Sequence, residues 1–530
     1  MALDPDDELT RFVAAATATE AELDEDEFEA ALDRLLAFPT DFDGWAAKAD
    51  PSAEPLRGIL LAVGMALIDR ERLAEGRAWI ERAAVEELEA GAAGGFDHEL
   101  LGMYLLDLDE HEQARAWYLR AIASAEAGDA DSHALGFLYH QVGSTHAFVD
   151  EHAAARPWFE RAAEARALGN ADGVVQHRAV ASSARQAGHC TLIVGEPELA
   201  ARWYAVAITA YEQAEDDPEQ DWLGWCYYWR GLSLWRSGDH EQARASFMTA
   251  TEHLRLGDAE GRVDWDQIGR CHYYAGRTLA EQGRLDAALA EFERAAEAEL
   301  RGDEDGKVDH HAVAVSLHQA GWCLAQQRRL VRARELFERA ATHSRRGDLD
   351  GHVDHGAVGR SLYEVGGCLL AVEDFAGAQP WFEQAAEEER RGNAEGHIDH
   401  ASLGMTLYQV GWCLAKRGRY AQALSRFREA AELEARGDLH GRVDHDAIGD
   451  SLHHVGWCFS KLRELASAAW WFERAVTAKL RGDLDGAVDH ESVAASCESL
   501  SRCQQALGAG ERATSWSERA ASHRARAAAN

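Results

Sequence analysis

The tripeptide VDH stands at residues 308–310, 353–355, 443–445 and 488–490, with IDH at 398–400 and VDW at 263–265. Successive marks lie 45 residues apart. A chain that repeats one sentence at such a period stacks a single supersecondary unit many times over. In the stretch 401–442, Leu403, Leu407, Val410 and Leu414 fall at i, i+4, i+7 and i+11, the apolar stripe of one helix. In a sister copy, Leu285, Ala288, Leu289, Phe292, Ala295 and Ala296 form the stripe of a second helix. The turn "KRGRY" (416–420) joins the two. A helix pair with one apolar side buries it only against another pair, which is how a solenoid is stabilised.

Around Gly411 the spacing is fixed. Leu407 lies four before, Leu414 three after, Ala423 twelve after, Phe427 sixteen after and Ala430 nineteen after. The frame recurs at Gly64, Gly102, Gly143, Gly188, Gly231, Gly276, Gly321, Gly366 and Gly456, and in degenerate form at Ser501. This pattern resembles the tetratricopeptide repeat. The 45-residue unit is similar to the long-period repeats of kinesin light chains and their bacterial relatives, where DHP-x-V-A stands in the place of "VDHESVA" (488–494). The resemblance implies an all-α solenoid, a right-handed superhelix of about eleven helix-turn-helix repeats over roughly residues 55–525. The organisation it suggests is an N-terminal helical cap (1–54), irregular repeats (55–260), regular repeats (261–505) and a C-terminal capping helix and tail (506–530). In the cap, Phe28, Leu32, Leu35 and Leu36 are helically spaced up to Pro39.

The connector "RGDLDGHVDH" (346–355) contains an adhesion-like RGD, a fragment of a calcium loop and an Asp-His pair. It recurs at one place in the repeat, with RGN at 391–393 and His440 in place of an acid. Recurrence favours helix punctuation: Gly347 as a left-handed C′ residue, Gly351 for a second turn, Asp354 as an N-cap. No EF-hand glutamate follows, and no metal or other cofactor is expected.

Lys and Arg number 54 against 92 Asp and Glu, a net charge of −38. Such a surface repels phosphate backbones and anionic lipid, so neither nucleic acid nor membrane is the expected partner. The start "MALDPDDELT" lacks a basic region followed by an apolar one, and "GILLAVGMALI" (58–68) is too short to span a bilayer. A soluble, cytoplasmic chain is expected. Nine cysteines contain no CxxC, and Cys323, Cys368, Cys413, Cys458 and Cys503 recur every 45 residues. Side by side on packed helices they are too far apart to bridge, and are expected to be buried small hydrophobes.

At 100° per residue from Leu407, Tyr408 points to about 100°, Trp412 to about 140° and Met405 to about 160°, away from the core stripe. The resemblance places that side of the first helix on a concave, peptide-binding groove. Sister copies carry Tyr228, Tyr273, His318, Tyr363 and His453 at the Tyr408 place. Arg277, Trp322 and Trp457 stand at the Trp412 place. The family often sets Asn or Lys there; this aromatic and histidine ladder departs from a carboxylate clamp and favours apolar or arginine-containing segments. Inter-repeat packing is the competing account of the same rings. One helix, "DWLGWCYYWRGLSLWRSGD" (221–239), concentrates Trp225, Tyr228, Trp229 and Trp235 beside Arg236. The function expected is a non-catalytic adaptor or scaffold binding a peptide or protein, with a negative field that steers basic partners. Alternatives are a regulatory or inhibitory subunit wrapped around a folded effector, and a self-assembling solenoid. Degenerate end copies argue against open stacking and towards a monomer. No P-loop, GxSxG or HExxH is present, so no enzyme activity is expected.

Overall fold

The computed structural model describes residues 98–529 apart from 128–130, 215–219, 259–260 and 394, together with residues 64, 67 and 76–81. The expected N-terminal cap and most of the copy at Gly64 lie outside the described residues. Among the described residues from His98 onward, twenty helices form ten hairpins, and no strand occurs among the described residues. The chain divides into two compact units, Met1–Pro218 and Glu219–Asn530.

In the first unit the hairpins are α1 (His98–Asp107) with α2 (His111–Ala127), α3 (Ser132–Ala147) with α4 (His152–Ala167), and α5 (His177–Val194) with α6 (Pro197–Glu212). In the second they are α7 (Gln220–Arg236) with α8 (His240–Leu254), α9 (Trp265–Glu281) with α10 (Leu285–Glu299), and α11 (His310–Gln326) with α12 (Leu330–Ser344). There follow α13 (His355–Leu370) with α14 (Phe375–Glu389), α15 (His400–Lys416) with α16 (Tyr420–Glu434), α17 (His445–Lys461) with α18 (Leu465–Lys479), and α19 (His490–Ala506) with α20 (Gly510–Ala527). Within each unit a second helix packs on its own first helix and on the first helix of the next hairpin. The apolar stripe alone can do this, because it is shared between two neighbours.

The anchor glycine explains the frame. A Cβ on Gly411 would stand 3.0 Å from the Phe427 ring, and every anchor from Gly102 to Gly456 meets the aromatic residue sixteen positions later in the same way. Phe247, Phe292, Phe337, Phe382 and Phe427 are fully buried there, with Tyr118, Phe159 and Tyr204 in the first unit. The nine cysteines are free and buried.

The connector behaves as helix punctuation. Gly347 (φ 85°) and Gly351 (φ 78°) are left-handed, and a Cβ on Gly347 would meet the Gly351 carbonyl carbon at 2.7 Å. Asp354 accepts from Ala357 N at 3.0 Å, and Asp264, Asp309, Asp399, Asp444 and Asp489 cap α9, α11, α15, α17 and α19 likewise. Asp348, Asp350 and His352 bring ligand-type atoms within 4.8 Å of one another. Asp348 Oδ1 already accepts from Asp350 N and His352 N, at 3.0 and 2.8 Å, so the group braces the turn. No described helix is long and apolar enough to cross a membrane.

Candidate interaction face

The rings at the Tyr408 place are wedges between hairpins. Tyr408 stands edge-on to Phe427 at 5.3 Å and to His454 of the next hairpin at 5.2 Å. Tyr363 meets Phe382, His318 meets Phe337, His453 meets Phe472 and Tyr273 meets Phe292, with centroids 4.9–5.7 Å apart. His318 Nδ1 pairs with Ser361 Oγ at 3.2 Å and His453 Nδ1 with Ser496 Oγ at 2.9 Å, each one hairpin on. Burial disfavours imidazolium here and lowers His318 to about 4 and His453 to about 3. These rings therefore do not simply face away from the core, as the helical wheel suggested. A side chain 100° from the stripe lies on the flank that the second helix and the next hairpin cover.

The aromatic helix α7 differs from its expectation in one residue. Tyr228 is buried, enclosed by Trp225, Trp229, Tyr274 and Phe247, and its burial raises the phenol pKa. Trp225 and Trp229 are half-buried and Arg236 is exposed. Trp235 Nε1 donates to Glu281 Oε2 at 2.9 Å, while the Arg277 guanidinium lies 4.6 Å from the Trp235 ring centroid. Two expected site residues thus clasp each other and fasten α7 to α9.

One turn further along the first helices the rings are more open. Trp322 is 37% exposed. Trp412 and Trp457 are half-buried and 6.4 Å apart, with His454 edge-on to both. Lys416 Nζ sits 4.5 Å from the Trp412 centroid and Lys461 Nζ 5.5 Å from that of Trp457. The chain has five lysines, and two of them occupy this one register, four residues after a tryptophan. That rarity was the sequence signal for Lys416 and Lys461, which the spacing argument passed over. His454 carried no such signal, because its role depends on which hairpin lies beside it.

Below these rings, between α15 and α17, is a cleft of about 410 Å³. Its wall includes Met405, Tyr408, Leu484, Glu434, Asp450 and Asp444. Glu434 ends α16, and its methylenes pass where a Cβ on Gly404 would be 2.7 Å away. Ser451 Oγ donates to its Oε1 at 3.2 Å, while the buried Oε2 has no partner. Desolvation, with the negative fields of Asp450 and Asp444, pushes this carboxyl up to about 8.

The profile of the tetratricopeptide repeat matches residues 226–252, which run from within α7 into α8. No curated protein matches in sequence. Among solved structures, BtubC (BKLC) from P. vanneervenii is 18% identical, over 46% of this chain and 91% of that one, with a TM-score of 0.36. YrrB, described as a TPR protein with an unusual peptide-binding site, is 18% identical over 44% and 92%, with a TM-score of 0.30. A protein of Podosopora anserina, described as a kinesin light chain with nearly identical TPR-like repeats, is 17% identical over 40% and 95%, with a TM-score of 0.31. The copy at 226–252 is thus a tetratricopeptide repeat by sequence, and the same glycine-to-aromatic contact recurs in the nine described hairpins anchored from Gly102 to Gly456.

Proposed function

We propose that the chain is a non-catalytic scaffold that binds a segment of a partner protein on the first-helix face of its second unit. The observation that carries this reading is one tryptophan register of the first helices: Trp322 is 37% exposed, Trp412 and Trp457 are half-buried and 6.4 Å apart, Gly367 holds the place between, and Met405 is 51% exposed. Tryptophan supplies large contact area at low entropic cost, and half-buried rings held by neighbours lose little freedom on binding. YrrB's description as a peptide binder is in keeping with it. The chemistry of the chain's nucleophiles also fits a non-catalytic role: burial holds Cys190, Cys323, Cys368 and Cys413 up at about 11, far from thiolate at neutral pH.

Selection from a displayed random-peptide library on the immobilised full chain tests the proposal. Defined peptide sequences are to be enriched, and their binding lost at least tenfold in Trp412→Ala/Trp457→Ala with helical circular dichroism intact. Enriched peptides that bind the double variant as tightly as the wild type would remove the first-helix face from consideration.

A further inference from the structure

The residue that ends each second helix from α8 to α18 follows one fixed register of its own first helix. At this register Trp225 precedes Leu254, and Val315 precedes Ser344. Arg270 stands at this register before Glu299 and Arg360 before Glu389; burial still raises both carboxyls, and the arginines, which lower them only slightly, pair with Asp266 at 2.9 Å and Asp354 at 3.6 Å. In the next hairpin the signs are exchanged: Asp450 binds the buried Lys479 at 2.6 Å. At the same register α15 carries Met405, which brings no charge to Glu434, a carboxyl only 6% exposed.

We infer that the cleft between α15 and α17 receives the arginine or lysine head of the partner segment, with Glu434 as counter-ion. The inference rests on the scaffold reading and names the chemistry of one subsite within it. The cleft fits a methylene stem ending in a cation. Met405, Tyr408 and Leu484 offer apolar wall, and Glu434, Asp438, Asp444 and Asp450 offer negative charge. Arg442 is the wall's own cation, and it is committed to Asp438 at 2.7 Å. Asp450 is likewise committed to Lys479 of α18, and Asp444 to capping α17. The Oε2 of Glu434 is unpartnered, as are those of Glu299 and Glu389, and Glu434 is the one of the three that lines this cleft. Burying a carboxyl without a partner is costly, so the folded chain holds it protonated at neutral pH, and an entering cation displaces that proton.

Titration calorimetry of the full chain at low salt and pH 7 tests this with acetyl-Gly-Arg-Gly-amide, its citrulline counterpart and spermidine. The arginine peptide is to bind at least about tenfold more tightly than the citrulline peptide, since a charge-assisted bond is lost in the latter. Its heat is to vary with the ionisation enthalpy of the buffer, reporting a released proton. Met405→Arg, which places in the cleft the residue its sisters carry, is to lose this binding without losing helicity or melting temperature. Glu434→Gln is to lose it too, together with the proton release. Equal binding of both peptides, or wild-type binding by Met405→Arg, overturns the inference. Spermidine binding without peptide binding overturns the partner side chain as the source of the cation. Library-selected peptides insensitive to Met405→Arg would sink the cleft and leave the scaffold standing; arginine-peptide binding that survives Trp412→Ala/Trp457→Ala, with no peptide selected, would do the reverse.

Discussion

At Gly411 the missing side chain is what lets Phe427 enter the hairpin, so the smallest residue and the largest buried one are a single device. Gly411→Ala forces a methyl to 3.0 Å from that ring and is expected to cost about 1–3 kcal/mol in chemical denaturation, the usual penalty of overpacking. Buried acids set a second residue-scale expectation. Burial raises Glu299 to about 8, Glu389 to about 7 and Glu434 to about 8. Unfolded, they ionise near the ordinary value of about 4.3, so between about pH 4.5 and 8 the folded chain binds more protons than the unfolded one. Stability therefore falls as pH rises through that window. The buried His140, His318 and His453, lowered to about 3, 4 and 3, act in the opposite sense below their ordinary 6.5. From pH 6.5 upward the acids are joined only by the buried cysteines, whose raised values lower stability in the same sense as pH nears the ordinary thiol value of about 8.5. Melting temperature is to fall between pH 6.5 and 8.5, and to fall less in Glu299→Gln/Glu389→Gln/Glu434→Gln; an equal fall in both proteins contradicts the assignment.

At the scale of helices, the recurring aspartate is a cap, and Asp399→Ala is expected to cost about 1 kcal/mol by freeing the Ser402 amide it accepts from at 3.0 Å. A thermal or urea melt reads this directly, and no change would mean that the connector fixes the helix start without it. The clasp of Trp235, Arg277 and Glu281 joins helices two elements apart, so Arg277→Ala is expected to change Trp235 fluorescence even where no partner is bound. The repeat frame and connector roles were legible because each is local: glycine, aromatic and cap recur at fixed offsets. How deeply the ladder is buried was not. A helical wheel gives the direction of Tyr408 but not that His454 and Phe427 cover it, and Tyr228 is enclosed by a tyrosine, Tyr274, that the regular copies lack. The helical wheel points Met405 outward, but that it shares a cleft with Glu434 depends on how the hairpins stack.

Over the whole chain, 92 acidic side chains against 54 basic ones give a field that accelerates encounter with a positive partner. Association rate with a basic peptide is expected to fall steeply between low and physiological salt, and the dissociation rate to change far less; stopped-flow measurement separates the two. The account places recognition on one kind of helix. Hydrogen exchange of the full chain, free and saturated with a library-selected peptide, examines that placement with no variant at all. Protection concentrated in the first helices α11, α13, α15 and α17 is the result predicted. Protection confined to the second helices α12, α14, α16 and α18, with the first helices exchanging as in the free chain, would contradict it.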